Sequence, residues 1–312
     1  MRLHFENIKS AADNIARYYE KEVSLGERMS LNISEAASFV ATAAAKDARS
    51  KGFFTSDMPL DPYLPNIMAN GVLDGVLEEN RALCTVKLAA ESAAYLADFC
   101  GKVTSALKST ARLKPTPALF AEHSDIKLGG KVAFAEANVL ANAFAVFKKK
   151  DQRLSASYVR SFTDACEDVA ADNCDYCILP IENSREGALL TVYRLIERYE
   201  LFIARVCSVE SDELSTKFAL LCHGFHGIIE NTGKQYIDLR LSGRDRELWS
   251  RINVGADVLG VEMIKTVSVP FVYTDGYAHI CTFYGSGEEL FAFLLFLSTM
   301  RADYTLIGVY GE

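Results

Sequence analysis

The sequence predicts a multi-domain α/β protein, because its residue pattern changes twice along the chain. Residues 1–110 carry apolar residues at helical spacing with no β-rich run, which predicts an all-α N-terminal region. Residues 131–222 alternate short apolar strands with helices, which is typical of a layered α/β sheet. Residues 234–312 have the order strand, helix, strand, strand, helix, strand, which is the ferredoxin-like βαββαβ arrangement. We therefore expect one domain in each of these three ranges.

The N-terminal region is expected to contain helices separated by a turn-rich break. Ser34 is a plausible N-cap for an alanine-rich helix over residues 34–48, and prolines interrupt the chain at 58–65. Apolar residues at helical spacing then extend from Val72 to Leu107. Residues 111–129 contain prolines and a pair of glycines, so they are predicted to be a linker.

The two later ranges have well-marked element boundaries. In the middle range, strands are predicted at 131–134, 158–159, 176–180, 201–209 and 216–222, with helices at 138–150, 161–170 and 188–200. In the last range, strands are predicted at 236–241, 261–274, 278–284 and 304–309, with helices at 245–259 and 288–301. Ser161 is the expected N-cap of its helix, and three lysines at 148–150 suit a helix C-terminus.

Composition narrows the classes of function. The formal net charge is −8 and no arginine-rich run is present, which argues against nucleic acid as a partner. Residues 1–9 lack the apolar core of a signal peptide, and the apolar run Leu290 to Leu297 is too short to span a bilayer. We expect a cytoplasmic protein without a membrane partner.

The eight cysteines predict buried thiols in a reducing compartment, because most of them lie inside apolar runs. Cys174 and Cys177 have the C-x-x-C spacing, but no second pair or histidine partner follows at zinc spacing. We therefore predict no metal and no cofactor.

Residues 178–187 carry the most specific motif of the chain, Ile-Leu-Pro-Ile-Glu-Asn-Ser-Arg-Glu-Gly. Thr191 follows it, and Ser161-Phe-Thr-Asp164 precedes it. A second motif, Thr-Lys-Phe, occupies residues 216–218. Together these residues resemble the prephenate dehydratase family, in which a strand ends in Pro-Ile-Glu-Asn-Ser and a later motif reads Thr-Arg-Phe.

The resemblance implies a carbon–oxygen lyase of phenylalanine biosynthesis, which converts prephenate to phenylpyruvate, carbon dioxide and water. Such a reaction needs donors for anionic oxygens and a proton donor near the leaving hydroxyl. By resemblance, Thr216 is the catalytic residue that assists departure of the hydroxyl. The implied substrate-binding residues are Glu182, Asn183, Ser184, Gly187, Lys217 and Phe218. An Asn-Ser pair at a helix N-terminus would offer side-chain and backbone donors together.

The chain departs from the family pattern at three points, which together predict a reduced cleft. The loop after the first strand, residues 133–140, lacks glycine and contains Glu136. Lys217 replaces an arginine and lacks its bidentate fork. Only 31 residues, 185–215, separate Ser184 from Thr216, which is too few for the family's second subdomain. A non-catalytic homologue that binds an aromatic ligand or has a regulatory role therefore stays an alternative to the enzyme.

The flanking regions also resemble parts of the family. Residues 234–312 occupy the place of the ACT domain, with Ser268-Val-Pro270 near the position of its Glu-Ser-Arg-Pro ligand motif. Residues 1–110 stand where bifunctional relatives carry a chorismate mutase domain, and cations such as Arg49 and Arg81 are available there. The resemblance thus implies an aromatic amino acid as a further ligand, a homodimer formed through the ACT-like unit, and chorismate mutase activity as another alternative.

Overall fold

A computed structural model describes residues 93–111, 116–117, 129–211, 214–225, 233–242, 246–271, 276–300 and 302–311. The predicted helices within residues 1–92 and most of the predicted linker lie outside these ranges, as does the proposed chorismate mutase region apart from one helix. That helix, α1, spans Ala93–Ala111. Its apolar face packs against two helices of the C-terminal unit, so its core is shared with that unit.

The middle of the chain forms six strands and three helices. Their bounds are β1 Gly130–Ala135, α2 Asn138–Lys150, β2 Leu154–Val159, α3 Phe162–Ala170, β3 Tyr176–Asn183, β4 Gly187–Ala188, α4 Leu190–Arg198, β5 Phe202–Ser211 and β6 Leu214–Cys222. Ser161 caps α3, since its side chain accepts a hydrogen bond from the Asp164 backbone N–H at 3.1 Å. The three lysines at 148–150 lie in the last turn of α2, as predicted.

The C-terminal part has the βαββαβ order that the sequence predicts. Its elements are β7 Lys234–Ser242, α5 Arg246–Leu259, β8 Glu262–Pro270, β9 Tyr277–Ser286, α6 Gly287–Thr299 and β10 Tyr304–Tyr310. Its strands lie in the order β10-β7-β9-β8, and each neighbouring pair is antiparallel. Ser286 and Glu289 form a reciprocal capping box at the start of α6.

Both parts belong to one 10-stranded sheet with the order β2-β1-β3-β6-β5-β10-β7-β9-β8, and β4 pairs with β3 outside this path. The two parts join where β5 pairs in parallel with β10, at Ile203 and Gly308. A β-carbon on Gly308 would approach the Ile203 side chain at 2.9 Å, so glycine permits the close approach of the two strands there.

The sheet is strongly curled, and α4 lies within the curl. Lys265 on β8 and Glu182 on β3 are six strand steps apart in the sheet, a separation of roughly 29 Å if the sheet were flat. Their side chains nevertheless meet at 2.8 Å. Helix α4 contacts both β3 and β8, and its buried residues share one apolar core with both parts of the chain. We call this side of the sheet the concave face.

Helix α3 packs on the same face as α4, and the remaining helices cover the opposite side of the sheet. Helix α2 packs over β1, β3, β5 and β6, while α1, α5 and α6 pack over the C-terminal strands. No helix within the described ranges is long and apolar enough to cross a membrane. The predicted burial of the thiols is confirmed where the structure describes them: six of seven cysteines are buried and Cys207 is half-buried.

Candidate functional site

The first family motif forms a β-hairpin turn. Asn183 on β3 pairs with Gly187 on β4, which leaves a loop of residues 184–186 between them. The Asn183 Oδ1 atom accepts hydrogen bonds from the backbone N–H groups of Arg185 at 3.0 Å and Glu186 at 2.6 Å. Gly187 has φ of +70°, the left-handed conformation with which three-residue hairpin loops commonly close.

This turn corrects the expectation that Asn183 and Ser184 lie at a helix N-terminus. Helix α4 begins only at Leu190, after the short strand β4, and no side chain caps it. The Asn183 side-chain oxygen therefore accepts hydrogen bonds from the turn rather than from the N–H groups at a helix end.

The second motif is bound directly to this turn. Ser184 donates its backbone N–H to the Ser215 carbonyl at 2.9 Å, and its Oγ accepts from the Ser215 N–H at 3.2 Å. The next pair in the antiparallel register is Asn183 with Thr216. Residues that are far apart in the sequence thus become neighbours at the carboxyl end of β3.

The predicted site residues are divided between the two faces of the sheet. Thr216 and Phe218 both point to the face that α2 covers, and Phe218 is buried in the core there. Lys217 points to the concave face, where it pairs with Glu182 across the strands. An irregularity in the β3–β6 register between Pro180 and Glu182 allows this, because one extra residue in a strand reverses the facing of those that follow.

The Thr216 face lies at the carboxyl ends of β1 and β3, the end of parallel strands where α/β sheets commonly bind ligands. Thr216 is largely buried, and its hydroxyl has no hydrogen bond within the described part of the chain. Helix α2 starts at this edge, and its N-cap residue, Ala137, provides no side-chain acceptor for the first backbone N–H groups.

On the concave face, the C-terminal unit contributes Lys265. Its Nζ donates to Glu182 Oε2 at 2.8 Å and lies 5.6 Å from the centre of the Tyr193 ring. Lys217 Nζ lies 5.9 Å from the centre of the Tyr236 ring. Two cations therefore lie beside the Glu182 side chain, and each cation lies over an aromatic ring.

Behind these groups lies a buried carboxyl group, that of Asp238. It is 1% exposed, accepts a hydrogen bond from the Tyr310 hydroxyl at 2.8 Å and also accepts one from the Thr282 hydroxyl. The Tyr236 ring packs against those of Tyr310 at 5.6 Å and Tyr284 at 4.7 Å between centroids. Donors thus satisfy both carboxyl oxygens of Asp238 in an otherwise apolar core.

The electrostatics of the Glu182–Lys265 pair favour its charged form. Burial alone would raise the pKa of Glu182, but the hydrogen bond from Lys265 and the charges of Lys265 and Lys217 outweigh it, so the net pKa is lowered. Burial alone would lower the pKa of Lys265, but Tyr193, Glu182 and Asp238 outweigh it, so the net pKa is raised. Both residues are ionised at neutral pH.

The deeper groups are shifted mainly by burial. It raises the pKa of Asp238, although hydrogen bonds from Thr282 and Tyr310 oppose the shift. Burial also raises the pKa of Tyr193 to about 12. The Tyr193 hydroxyl is fully buried and has no hydrogen-bond partner of ordinary geometry among the described residues.

Sequence reasoning missed the concave-face contribution of the C-terminal unit. Asp238 gave no signal, because its position between Ile237 and Leu239 is also that of a polar residue on a strand with one solvated face. Lys265 gave one, since it continues the alternation of the buried Val267 and Val269. Of two cavities in the described part of the chain, of about 650 and 180 Å³, neither is lined by a predicted site residue. The roles predicted for those residues stay predictions.

Comparisons with known proteins agree with the motifs. The model of the family described as prephenate dehydratase matches residues 126–221. The fold is similar to prephenate dehydratase from Streptococcus mutans, with 19% identity, TM-score 0.47, and 58% of this chain and 97% of that chain covered. Prephenate dehydratase from Arthrobacter aurescens in complex with L-Phe shows 14% identity, TM-score 0.47 and coverages of 58% and 90%. GqqA, described as a novel type of quorum quenching acylase, shows 16% identity, TM-score 0.44 and coverages of 58% and 95%.

No curated protein matches this chain. The family match spans β1 to β6 and includes both motifs, so the segment that carries the paired Asn183 and Thr216 is the segment that the family model describes. Residues 126–221 of this chain match the prephenate dehydratase family.

Proposed function

We propose that this protein is a prephenate dehydratase-like enzyme of phenylalanine biosynthesis, which converts prephenate to phenylpyruvate, carbon dioxide and water. The observation that carries the proposal is the pairing of Asn183 with Thr216 within the family segment. This pairing brings an amide and a hydroxyl together at the carboxyl ends of the parallel strands, where we propose that the substrate binds.

The chemistry follows from these two groups. The Thr216 hydroxyl forms no hydrogen bond to the described residues, so it is available to donate to the hydroxyl that leaves the prephenate ring. Asn183 uses its oxygen in the turn, which leaves its Nδ2 group as a donor for an anionic oxygen. The N–H groups that begin α2 add positive partial charge at the same edge.

The C-terminal unit is proposed to face Glu182 and Lys217 across the concave face, on the side of the sheet opposite Thr216. The short connection between the two motifs leaves no room for a full second subdomain, and the curled sheet brings β8 to face β3 instead. We also propose that this unit is ACT-like, takes an aromatic amino acid or related carboxylate as ligand, and pairs two chains into a homodimer in the cytoplasm. Its βαββαβ order supports the first of these statements.

A non-catalytic homologue is the second candidate, and one observation favours it. The side-chain oxygens of the first motif are already used: Asn183 Oδ1 by the turn, Ser184 Oγ by Ser215, and Glu182 by Lys265. A motif kept for its turn and its ion pair would maintain the fold without turnover.

Turnover of prephenate by the purified full-length chain separates the two candidates. We expect phenylpyruvate, followed by its absorbance in alkali, and a decrease in kcat of at least about 100-fold for Thr216→Val, which removes a proton donor and keeps the side-chain shape. Thr266→Val, on the solvent-exposed side of β8, is the matched control and should keep full activity. Absence of turnover in the folded wild-type protein would establish the non-catalytic candidate.

A further inference from the structure

The Glu182 carboxylate lies where β3 and β8 face each other across the concave face, and two cations act on it. Lys265 Nζ binds Glu182 Oε2 at 2.8 Å, while Lys217 is its partner in the β3–β6 register and adds to the lowering of its pKa. The Glu182 side chain is 36% exposed and that of Lys265 is 19% exposed. The carboxylate therefore lies at the mouth of the concave face, with the Lys265 ammonium group deeper than itself.

The groups around this carboxylate exceed what a structural ion pair requires. The Tyr193 hydroxyl is fully buried, makes no hydrogen bond of ordinary geometry within the described ranges, and interacts with the charges of Lys265 and Glu182. The half-buried rings of Tyr236 and Tyr284 stack beside Lys217. A buried hydroxyl group without a well-formed hydrogen bond is uncommon in folded proteins, and a ligand oxygen could bind to it.

We propose that Lys217 and Lys265 form a binding pocket for the carboxylate of a small aromatic or cyclohexadienyl acid, and that Glu182 occupies this pocket when no ligand is bound. On binding, the ligand carboxylate replaces that of Glu182 on Lys265, and its ring packs against Tyr236. The inference rests on the proposed function for the class of ligand alone. It assigns Lys265, which lies outside the family segment, to ligand recognition.

An ion pair with only a structural role and a pocket that Glu182 occupies predict different effects of substitutions on ligand binding. If the pair only holds β3 to β8, then loss of either partner weakens the same contact, and both changes act on a ligand in the same direction. If Glu182 competes with the ligand, then loss of its charge strengthens ligand binding and loss of the Lys265 charge weakens it. The sign of the Glu182 effect therefore discriminates between the two descriptions.

Isothermal titration calorimetry with phenylpyruvate, on the full-length chain at neutral pH, measures that sign. We expect Glu182→Gln to lower Kd by about fivefold, and Lys265→Gln to raise it by about tenfold, as loss of one charge-assisted hydrogen bond predicts. Lys265→Arg keeps the charge and should restore most of the affinity.

Arg240→Gln is the matched control. Arg240 on β7 forms an ion pair with Glu197 of α4 at 3.5 Å, away from Glu182, so this substitution should leave Kd unchanged. Equal directions for Glu182→Gln and Lys265→Gln, or no binding by wild type and Glu182→Gln alike, would overturn the pocket. If the two variants change Kd in opposite directions but the protein does not turn over prephenate, the dehydratase proposal is refuted and the pocket proposal stands. The two proposals therefore fail separately.

Discussion

The two halves of the sheet contribute to the candidate site in different ways. The family segment supplies a turn that is satisfied by its own backbone and short-range contacts, from Asn183 to Glu186 and from Ser184 to Ser215. The C-terminal half supplies Lys265 and Asp238, which become neighbours of the motif only because the sheet curls. A family motif therefore specifies its local geometry, whereas the surroundings that decide its chemistry come from the rest of the fold.

The halves also differ in how they bury polar groups. The polar motif of the family segment lies at the carboxyl end of β3, where Ser184 is exposed and Glu182 is half-buried. The C-terminal half encloses Asp238 completely and satisfies it with two hydroxyl groups. Removal of a partner leaves an unsatisfied group in the second case but not in the first, so we expect substitutions to act differently in the two halves.

Phe218→Ala should have the largest effect on stability, because the ring is 1% exposed and packs in the core beneath α2. Removal of a buried phenyl ring costs about 3–5 kcal/mol through lost burial and the cavity that remains. Urea unfolding followed by circular dichroism measures this. A variant of wild-type stability with impaired binding of phenylpyruvate would contradict the core assignment and support the role in substrate binding that the resemblance implies.

Gly255→Ala should have the next largest effect, and it is located in the other half. A β-carbon on Gly255 of α5 would overlap the Phe296 ring of α6, so the two helices must separate or the ring must move. Overpacking of this kind costs about 1–3 kcal/mol. The same unfolding experiment measures it.

Gly187→Ala is the matched comparison in the family segment. A β-carbon there has no neighbour within 4 Å, but φ of +70° is unfavourable for alanine, and the left-handed conformation costs about 1–2 kcal/mol. A larger loss for Gly187→Ala than for Gly255→Ala would show that the turn, rather than the helix pair, is the more tightly constrained of the two.

The sequence was informative wherever the signal is local. The alternation of strands and helices, the Ser161 cap and the lysines that end α2 are each determined within a few residues, and the structure confirms them. The motif also predicted that the residues around Asn183 end a strand. The helix expected directly after it was displaced, because the turn through Gly187 adds a short strand before α4.

The remainder of the site could not be predicted, because it depends on long-range geometry. The register irregularity near Glu182 turns that side chain to the concave face, and no periodicity in the sequence reveals it. The contact with Lys265 spans 83 positions and six strand steps, so it follows from the curl of the whole sheet. Thr216 and Lys217 are adjacent in the sequence, yet strand alternation places them on opposite faces.

The smallest effect that we predict is a pair of opposite pH dependences, one from each half. The pKa of Glu182 is lowered in the folded state, so its stabilising contribution is present above its unfolded value, about 4.3, and is lost as the pH falls through the folded value. The pKa of Asp238 is raised by burial, so stability decreases as the pH rises from about 3.9, its unfolded value, through the raised folded value. Free energies of unfolding from about pH 3 to about pH 7, on either side of the unfolded pKa values of both groups, would be measured for wild type, Glu182→Gln and Asp238→Asn. The advantage of wild type over Glu182→Gln should grow with pH, whereas its stability relative to Asp238→Asn should decrease. If both differences in free energy of unfolding changed with pH in the same direction, the two pKa values would be shifted in the same direction. The motif and the C-terminal half would then not differ in how they bury a carboxyl group.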